Sequence, residues 1–136
     1  MRVRRKNNRR VRKGAAVVEL ALCLPVLVVF ALGTIEICNC IYKRQSLAIT
    51  AYEGARVALI VGATEENVRT QCDFLLEERR LHEAVVTIAP DDFESAPAGT
   101  FIAIEASVPH AATSIIPTTL FAQEFMTARV EMMKEY

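Results

Sequence analysis

A short stretch near the N-terminus contains two residues that could take part in chemistry. One is a glycine at a boundary between two segments, and the other is a carboxylate without charged neighbours. Gly14 separates a basic tail from an apolar segment, and Glu19 is the only charged residue between Ala15 and Ile35. Glycine takes extended or positive-φ backbone at little cost, which suits the bond after Gly14 to proteolytic cleavage. Cleavage would create an α-amino group on Ala15. That amine could pair with the Glu19 carboxylate of a neighbouring helix shifted by about one turn, which offsets the cost of burying both charges.

The apolar segment has the length of a membrane span. Residues 15–35 carry Glu19 as their only charge, and as a helix they would be about 31 Å long, enough to cross the hydrocarbon core. A carboxylate in such a span costs free energy. Glu19 therefore needs either a charged partner or a position near the membrane edge from which it reaches the headgroups. We predict a transmembrane helix over residues 15–35.

Charge is divided unevenly around this segment. Residues 1–13 contain eight Arg or Lys residues and no acid, whereas the chain after Gly14 carries eight basic and 16 acidic side chains. Only Lys43 and Arg44 lie soon after the span, so the positive-inside rule places the N-terminus in the cytoplasm and the rest outside. A basic tail can also bind nucleic acid or anionic lipid. Beside a membrane span it is more simply a determinant of orientation, and we expect no nucleic-acid partner.

The residues beyond the span predict an α+β domain. Helical spacing continues through residues 36–62, Gly62 can end this first helix, and Pro25 should kink it. A second helix has Thr64 as its N-cap and is expected to end near His82. Apolar residues then alternate, which predicts three short antiparallel strands around Val86–Ile88, Ile102–Val108 and Met126–Met132. The last of these, within residues 125–136, also fits a helix.

Two stretches of the sequence resemble a known family. Gly14-Ala-Ala-Val-Val-Glu19-Leu is similar to the cleavage motif of type IV prepilins, and its extension to Pro25 resembles the start of TadE-like proteins, minor pilins of tight-adherence (Flp, type IVb) systems. Further along, the E-G-A-R element that follows the membrane helix in that family is matched by Glu53, Gly54, Ala55 and Arg56. The two matches cover about the first 60 residues. Leu20 departs from the pattern, since many members have an aromatic residue there.

The resemblance implies a precursor that an inner-membrane prepilin peptidase cuts between Gly14 and Ala15. Glu19 would then serve recognition or assembly. The implied partners are other pilin or minor pilin subunits, the inner-membrane assembly platform and the lipid bilayer. The implied location is the inner membrane, crossed once, with the C-terminal domain extracytoplasmic and the chain either incorporated into a pilus or only assisting it.

The E-G-A-R element also has a direct physical interpretation. Glu53 and Arg56 lie three residues apart on a helix, where they can form a surface ion pair or contact another pilin. Gly54 and Ala55 are small enough to let a packed domain approach the helix closely.

Other candidate sites have weaker patterns. Ala31-Leu32-Gly33 resembles a signal-peptidase site, and cleavage there would release a secreted domain beginning at Thr34; the apolar run before it is longer than a usual signal-peptide core. Asp91, Asp92 and Glu94 carry carboxylates of the kind that bind calcium, but their spacing fits no EF-hand, and a solvated acidic turn is expected instead.

The cysteines and histidines suggest no reactive centre. Cys72 either forms a disulfide with Cys38 or Cys40 or is a small buried apolar residue, as Cys23 is within the span. His82 and His110 have no evident partner residues, and no glycine-rich phosphate loop is present. We expect no cofactor, no metal and no enzymatic activity.

These observations give one organisation and two functional hypotheses. The predicted segments are a basic cytoplasmic leader (1–14), a transmembrane helix (15–35), an extracytoplasmic continuation of that helix (36–62) and a small α+β domain (63–136). The first hypothesis is a minor pilin-like protein that assists pilus assembly. The alternative is a generic membrane-anchored, or signal-peptidase-released, extracytoplasmic binding domain.

Overall fold

The fold is that of a computed structural model, in which residues 9–109 and 125–135 are described. Two helices precede three strands, namely α1 (Arg9–Ala58), α2 (Glu65–Glu78), β1 (Val85–Ala89), β2 (Phe101–Pro109) and β3 (Phe125–Met133). The predicted α+β class is confirmed. The chain divides into two compact units, Met1–Ile37 and Cys38–Tyr136.

The first unit contains the apolar part of α1. This helix is unbroken through Pro25, and it contains an 18-residue window with a mean hydropathy of 2.6, none of which is buried by protein. Its large apolar side chains are exposed in this unit, Leu22 to 72% and Phe30 to 70%. A helix with apolar residues on all sides is typical of a membrane span. By length and composition it can cross a membrane, as the sequence predicts.

The second unit is built around a three-stranded antiparallel sheet. The strands lie in the order β1-β2-β3, with Val86 paired with Ala106 and Ala106 paired with Ala128. Alternate residues of the central strand β2 point into the core, where Ile102 and Ile104 are fully buried. The segment that also fitted a helix is strand β3, because its period-two alternation matches nine paired positions on β2.

The C-terminal part of α1 contributes small side chains to the core of this unit. Ala51, Ala55 and Ala58 are buried there with Leu47. Thr50 is also fully buried, and its hydroxyl donates to the Ser46 carbonyl at 3.0 Å, so the buried oxygen is satisfied within the helix. A stripe of small residues lets the axis of a helix lie close to its neighbours. From α2 the core receives Val68, Cys72 and Leu76.

The first helix ends at Ala58, so the prediction that it runs to about Val61 was wrong. The Ile60 amide donates to the Val57 carbonyl at 3.0 Å, an i to i−3 bond that tightens the last turn, and the Ala63 amide donates to the Ile60 carbonyl. Gly62 has a φ of 81°, within the turn that follows rather than at the helix end. The apolar side chain of Ile60 is exposed, which is why apolar spacing alone placed the boundary too late.

The N-terminus of α2 is as predicted, but its C-terminus is not. The Asn67 amide donates to the Thr64 hydroxyl at 3.3 Å, which confirms Thr64 as the N-cap. The helix ends at Glu78 rather than near His82. Its end is a Schellman motif with Arg80 at a φ of 58°, a left-handed position that glycine usually occupies. Because this position holds an arginine rather than a glycine, no residue type marks the end of the helix.

Substitution of Gly54 by alanine should destabilise the second unit. A Cβ at this position would lie 2.6 Å from Cys72 Sγ and 3.3 Å from Ile104 Cγ2. Overpacking costs about 1–3 kcal/mol, which exceeds the gain in helix propensity of about 1 kcal/mol. We expect Gly54→Ala to lower the Tm of the detergent-solubilised full chain by several degrees in a near-UV circular dichroism melt.

Two controls define this result. Gly33→Ala, where a Cβ has no heavy atom within 4 Å, should leave the melt unchanged. Cys72→Ala in the Gly54→Ala background should recover part of the loss, because it removes the sulfur that the new methyl group meets. A Gly54→Ala chain as stable as the unmodified protein would show that the second unit relaxes without cost.

Candidate functional site

The candidate processing site lies inside α1. Gly14 is helical and exposed, and a Cβ built on it has no neighbouring heavy atom within 4 Å. Ala15 is also helical and exposed. The bond between them is therefore accessible in space, but a peptidase that cuts it must first open one helical turn. Positive φ values occur at Gly62 and Gly99, whereas Gly14 is part of the regular helix.

Glu19 lies four residues after Ala15, on the same face of the helix. Its side chain is exposed. In residues 14–109 and in β3, the ion pairs Glu53–Arg56, Glu65–Arg69 and Arg129–Glu131 form without this carboxylate. Glu19 is therefore accessible to a charged group from another chain.

The E-G-A-R residues belong to the second unit and divide between two faces of α1. Arg56 Nη1 lies 3.3 Å from Glu53 Oε2 on the exposed side, where Arg56 is 68% accessible. An exposed pair of this kind contributes only a few tenths of a kcal/mol. Gly54 and Ala55 face inward and are buried. The two candidate motifs lie in separate units of the chain.

Gly54 is the point where three elements meet. The side of Gly54 on which a side chain would stand faces Cys72 on α2 and Ile104 on β2. An added methyl group would contact both residues. Cys72 Sγ in turn lies 3.8 Å from the Thr50 carbonyl oxygen, one turn before Gly54. The small residues of the motif therefore position the second helix and the central strand against α1.

Cys72 is a buried thiol rather than half of a disulfide. All four cysteines are free, and the side chain of Cys72 is fully buried. The pKa of Cys72 is raised from 9.0 to about 11, chiefly by burial and also by the charge of nearby Asp73, while the charge of Arg69 acts in the opposite direction. Of the two alternatives left open by the sequence, the small buried residue describes the structure.

The acidic loop has a structural role that the sequence did not reveal. Glu94 Oε1 accepts the Glu65 amide at 2.7 Å, so it satisfies an open N–H in the first turn of α2. Lys134 Nζ donates to the carbonyls of Phe93 and Glu94, which ties the loop to the end of β3. Glu94 is thus more than part of a solvated turn. No cluster of three potential metal ligands occurs in residues 14–109 or 125–135.

Cys72 should resist alkylation while the protein is folded. With a pKa of about 11 against 9.0, the thiolate fraction at pH 8 is about 100-fold lower than in an unfolded chain. We expect iodoacetamide at pH 8 to label Cys72 only after denaturation, as measured by peptide mass spectrometry. The raised pKa also has a consequence for stability. The unfolded state loses the proton first, so the free energy of unfolding should fall between pH 9 and about 11.

The exposed Cys38 provides an internal comparison for this experiment. It should react in the folded and the unfolded protein alike when the detergent leaves it accessible. Rapid labelling of Cys72 at pH 8 under native conditions would contradict its burial.

Comparison with known proteins links the two motifs. Residues 14–56 match the family model of the TadE-like protein. The match begins at Gly14 and ends at Arg56, so it contains the candidate processing site, the apolar helix and the whole E-G-A-R element. No curated protein and no solved structure matches the chain. Over residues 14–56 the chain therefore carries a TadE-like domain, the domain of a family of Tad pilus systems.

Proposed function

We propose that this chain is a minor pilin-like membrane protein that assists assembly of a tight-adherence (Flp, type IVb) pilus or a related secretion machinery. One observation carries the proposal. A single TadE-like segment contains Gly14, an accessible Glu19 five residues later and an apolar helix long enough to span a membrane. Residues 1–14 then act as a cytoplasmic leader, and the second unit is extracytoplasmic. This orientation follows from the eight basic residues that precede Gly14.

The proposed mechanism begins with removal of the leader. Prepilin peptidase cuts after Gly14, which leaves a positively charged amine on Ala15 at the start of a helix. Glu19 of a neighbouring subunit, displaced by about one turn, pairs with that amine in the membrane. Each charge then offsets the desolvation of the other, and the pair sets the relative register of the two helices.

The surface of α1 suits lateral association on both sides of the membrane boundary. In the first unit its apolar side chains are exposed all round. In the second unit the fold covers one face of the helix and leaves the opposite face open, where Ile41, Ile49 and Tyr52 are exposed. Other pilin helices or the assembly platform can pack on these residues. The role is structural, and we propose no reaction catalysed by this chain.

Processing can be tested by determining the N-terminus of the protein from its native membrane. We expect the unmodified chain to begin at Ala15, measured by mass spectrometry. Gly14→Val should retain the leader, because a peptidase site that accepts glycine before the scissile bond has no space for a branched side chain. An N-terminus at Ala15 in the Gly14→Val variant would contradict the proposal.

Gly33→Val is the matched control. It makes the same change in the same helix, at another glycine whose Cβ position is open, and it should not affect cleavage at Gly14. A start at Thr34 in the unmodified chain, lost in Gly33→Val, would instead establish the signal-peptidase alternative. An intact Met1 would favour the generic membrane anchor.

Glu19 can be tested in assembly. We expect Glu19→Ala to remain in the membrane and to reduce surface pili about tenfold or more, since loss of one 1.4 kcal/mol contact changes an association constant about tenfold. Pili can be counted by electron microscopy in cells that express either form. Glu66→Ala, which removes an exposed acid on α2, should leave piliation unchanged. Full piliation with Glu19→Ala would exclude the carboxylate from the mechanism.

A further inference from the structure

A polar cleft in the second unit has no role in the proposed assembly mechanism. It lies where the C-terminus of α2 reaches α1 and has a volume of about 480 Å³, within the range of small-ligand sites. Three of its lining residues are basic and one is acidic; the full set is Asn39, Tyr42, Lys43, Glu78, Arg79, Arg80 and Leu81. The cleft therefore has a net positive lining.

The two arginines of the cleft are not used by ion pairs of the fold. Arg79 Nη1 donates to Ser46 Oγ at 3.3 Å, which holds the side chain against α1. A guanidinium has five N–H donors, so this contact leaves most of them available. In the part of the chain that the structure describes, neither Arg79 nor Arg80 belongs to an ion pair. Two other polar residues of the lining, Lys43 and Asn39, have interactions of their own.

The arginines are also not needed to cap the helix. The last carbonyls of α2 already accept backbone amides: Leu75 from Arg79, Leu76 from Leu81, and Glu77 from Arg80. Favourable interaction with the negative end of the helix remains, but it is weak for an exposed cation.

The backbone of Arg80 has a left-handed conformation, which is a second feature that points to a ligand. Its φ of 58° is costly for any residue with a Cβ and is the position that glycine fills without strain. Asn is the usual second choice at such a site. An arginine there keeps a guanidinium at the rim of the cleft at the expense of local backbone stability.

The position of the cleft residues in the sequence indicates that the cleft lies near the membrane surface. Tyr42 follows Ile35, the end of the apolar run, by seven residues, and α1 covers this stretch without a break. Even a fully extended chain of seven residues spans no more than about 25 Å, so chain connectivity alone keeps Tyr42 near the headgroup layer. Tyrosine is enriched at that depth. Basic residues are disfavoured on the translocated side of a membrane, yet Lys43, Arg44 and both cleft arginines lie there in the proposed orientation.

We propose that this cleft binds the phosphate of an anionic phospholipid headgroup, with Arg79 and Arg80 as the donors and Tyr42 at the interface. Arginine suits a phosphate because its planar fork can donate two hydrogen bonds in parallel. The bound lipid would attach the second unit to the surface of the bilayer. The inference depends on the membrane-anchored orientation of the proposed function, but not on cleavage or filament assembly.

The test uses the full chain in micelles of an uncharged detergent that contain equal amounts of phosphatidylglycerol and phosphatidylcholine. Native mass spectrometry measures the ratio of the two lipids retained per protein. Residues 1–13 attract anionic lipid in every variant alike, so the informative quantity is the difference between variants. We expect Arg80→Gly to lower the phosphatidylglycerol preference about tenfold and Arg79→Lys to lower it by less, since lysine keeps the charge but loses the fork.

Arg129→Gln is the control for charge. It removes one exposed arginine from β3 and should not change the lipid ratio. Arg80→Gly is also suited to the test because glycine is favoured at its φ, so its Tm should not fall. The inference is overturned if Arg80→Gly retains the lipid preference, if Arg129→Gln loses as much, or if free inorganic phosphate at the lipid concentration displaces phosphatidylglycerol, which would indicate a general anion site. The start at Ala15 and the pilus count are measured separately, so failure here leaves the pilin proposal standing.

Discussion

The close approach of three elements at Gly54 is the constraint on which the second unit depends. A methyl group there would lie 2.6 Å from Cys72 Sγ, and protein interiors have little free volume to absorb such a shift. The absence of a side chain therefore sets how deeply α1 sits against α2 and β2. The buried alanines at 51, 55 and 58 extend this contact along the helix. The TadE-like match ends at Arg56, so it includes the surface on which the C-terminal elements pack as well as the apolar span.

One helix thus meets two different physical demands. In lipid, every backbone polar group must be satisfied within the segment, and an unbroken helix with apolar sides does this. Beyond the span, one face of the same helix must bury small residues while the other meets water or another chain. The four residues of the E-G-A-R element divide in this way. Gly54 and Ala55 lie on the buried face, and Glu53 and Arg56 lie on the exposed face. Glu19 is the one charged side chain among the apolar residues of the span. A charge in such a place is costly, and function is expected there.

The sequence predicted the elements well and their long-range connections poorly. Period-two alternation identified all three strands, and Thr64 identified the start of α2. The ends of both helices were placed too late, since exposed Ile60 continued the apolar pattern and Arg80 occupies a position where glycine would have signalled a stop. The bond from the Glu65 amide to Glu94 joins residues 29 apart in the chain, and Lys134 reaches back 40 and 41 residues to the loop carbonyls. Local patterns carry no information about such contacts.

The distribution of charge along α2 shows why the placement of a few arginines matters. Without residues 1–14 the chain has eight basic and 16 acidic side chains, and a net charge of this sign is repelled by an anionic bilayer surface. Glu65, Glu66 and Glu94 lie at the N-terminal end of α2. Glu77 and Glu78 end the helix, and Arg79 and Arg80 follow them directly, with Arg79, Arg80 and Tyr42 lining the cleft. Charges separated by more than about 10 Å are largely screened from one another at physiological salt, and a helix of 14 residues is about 21 Å long. A headgroup at the cleft is therefore influenced chiefly by the two arginines and by Glu77 and Glu78, and only weakly by the acids at the N-terminal end of α2. A net negative protein can in this way present a positive surface where it meets the membrane.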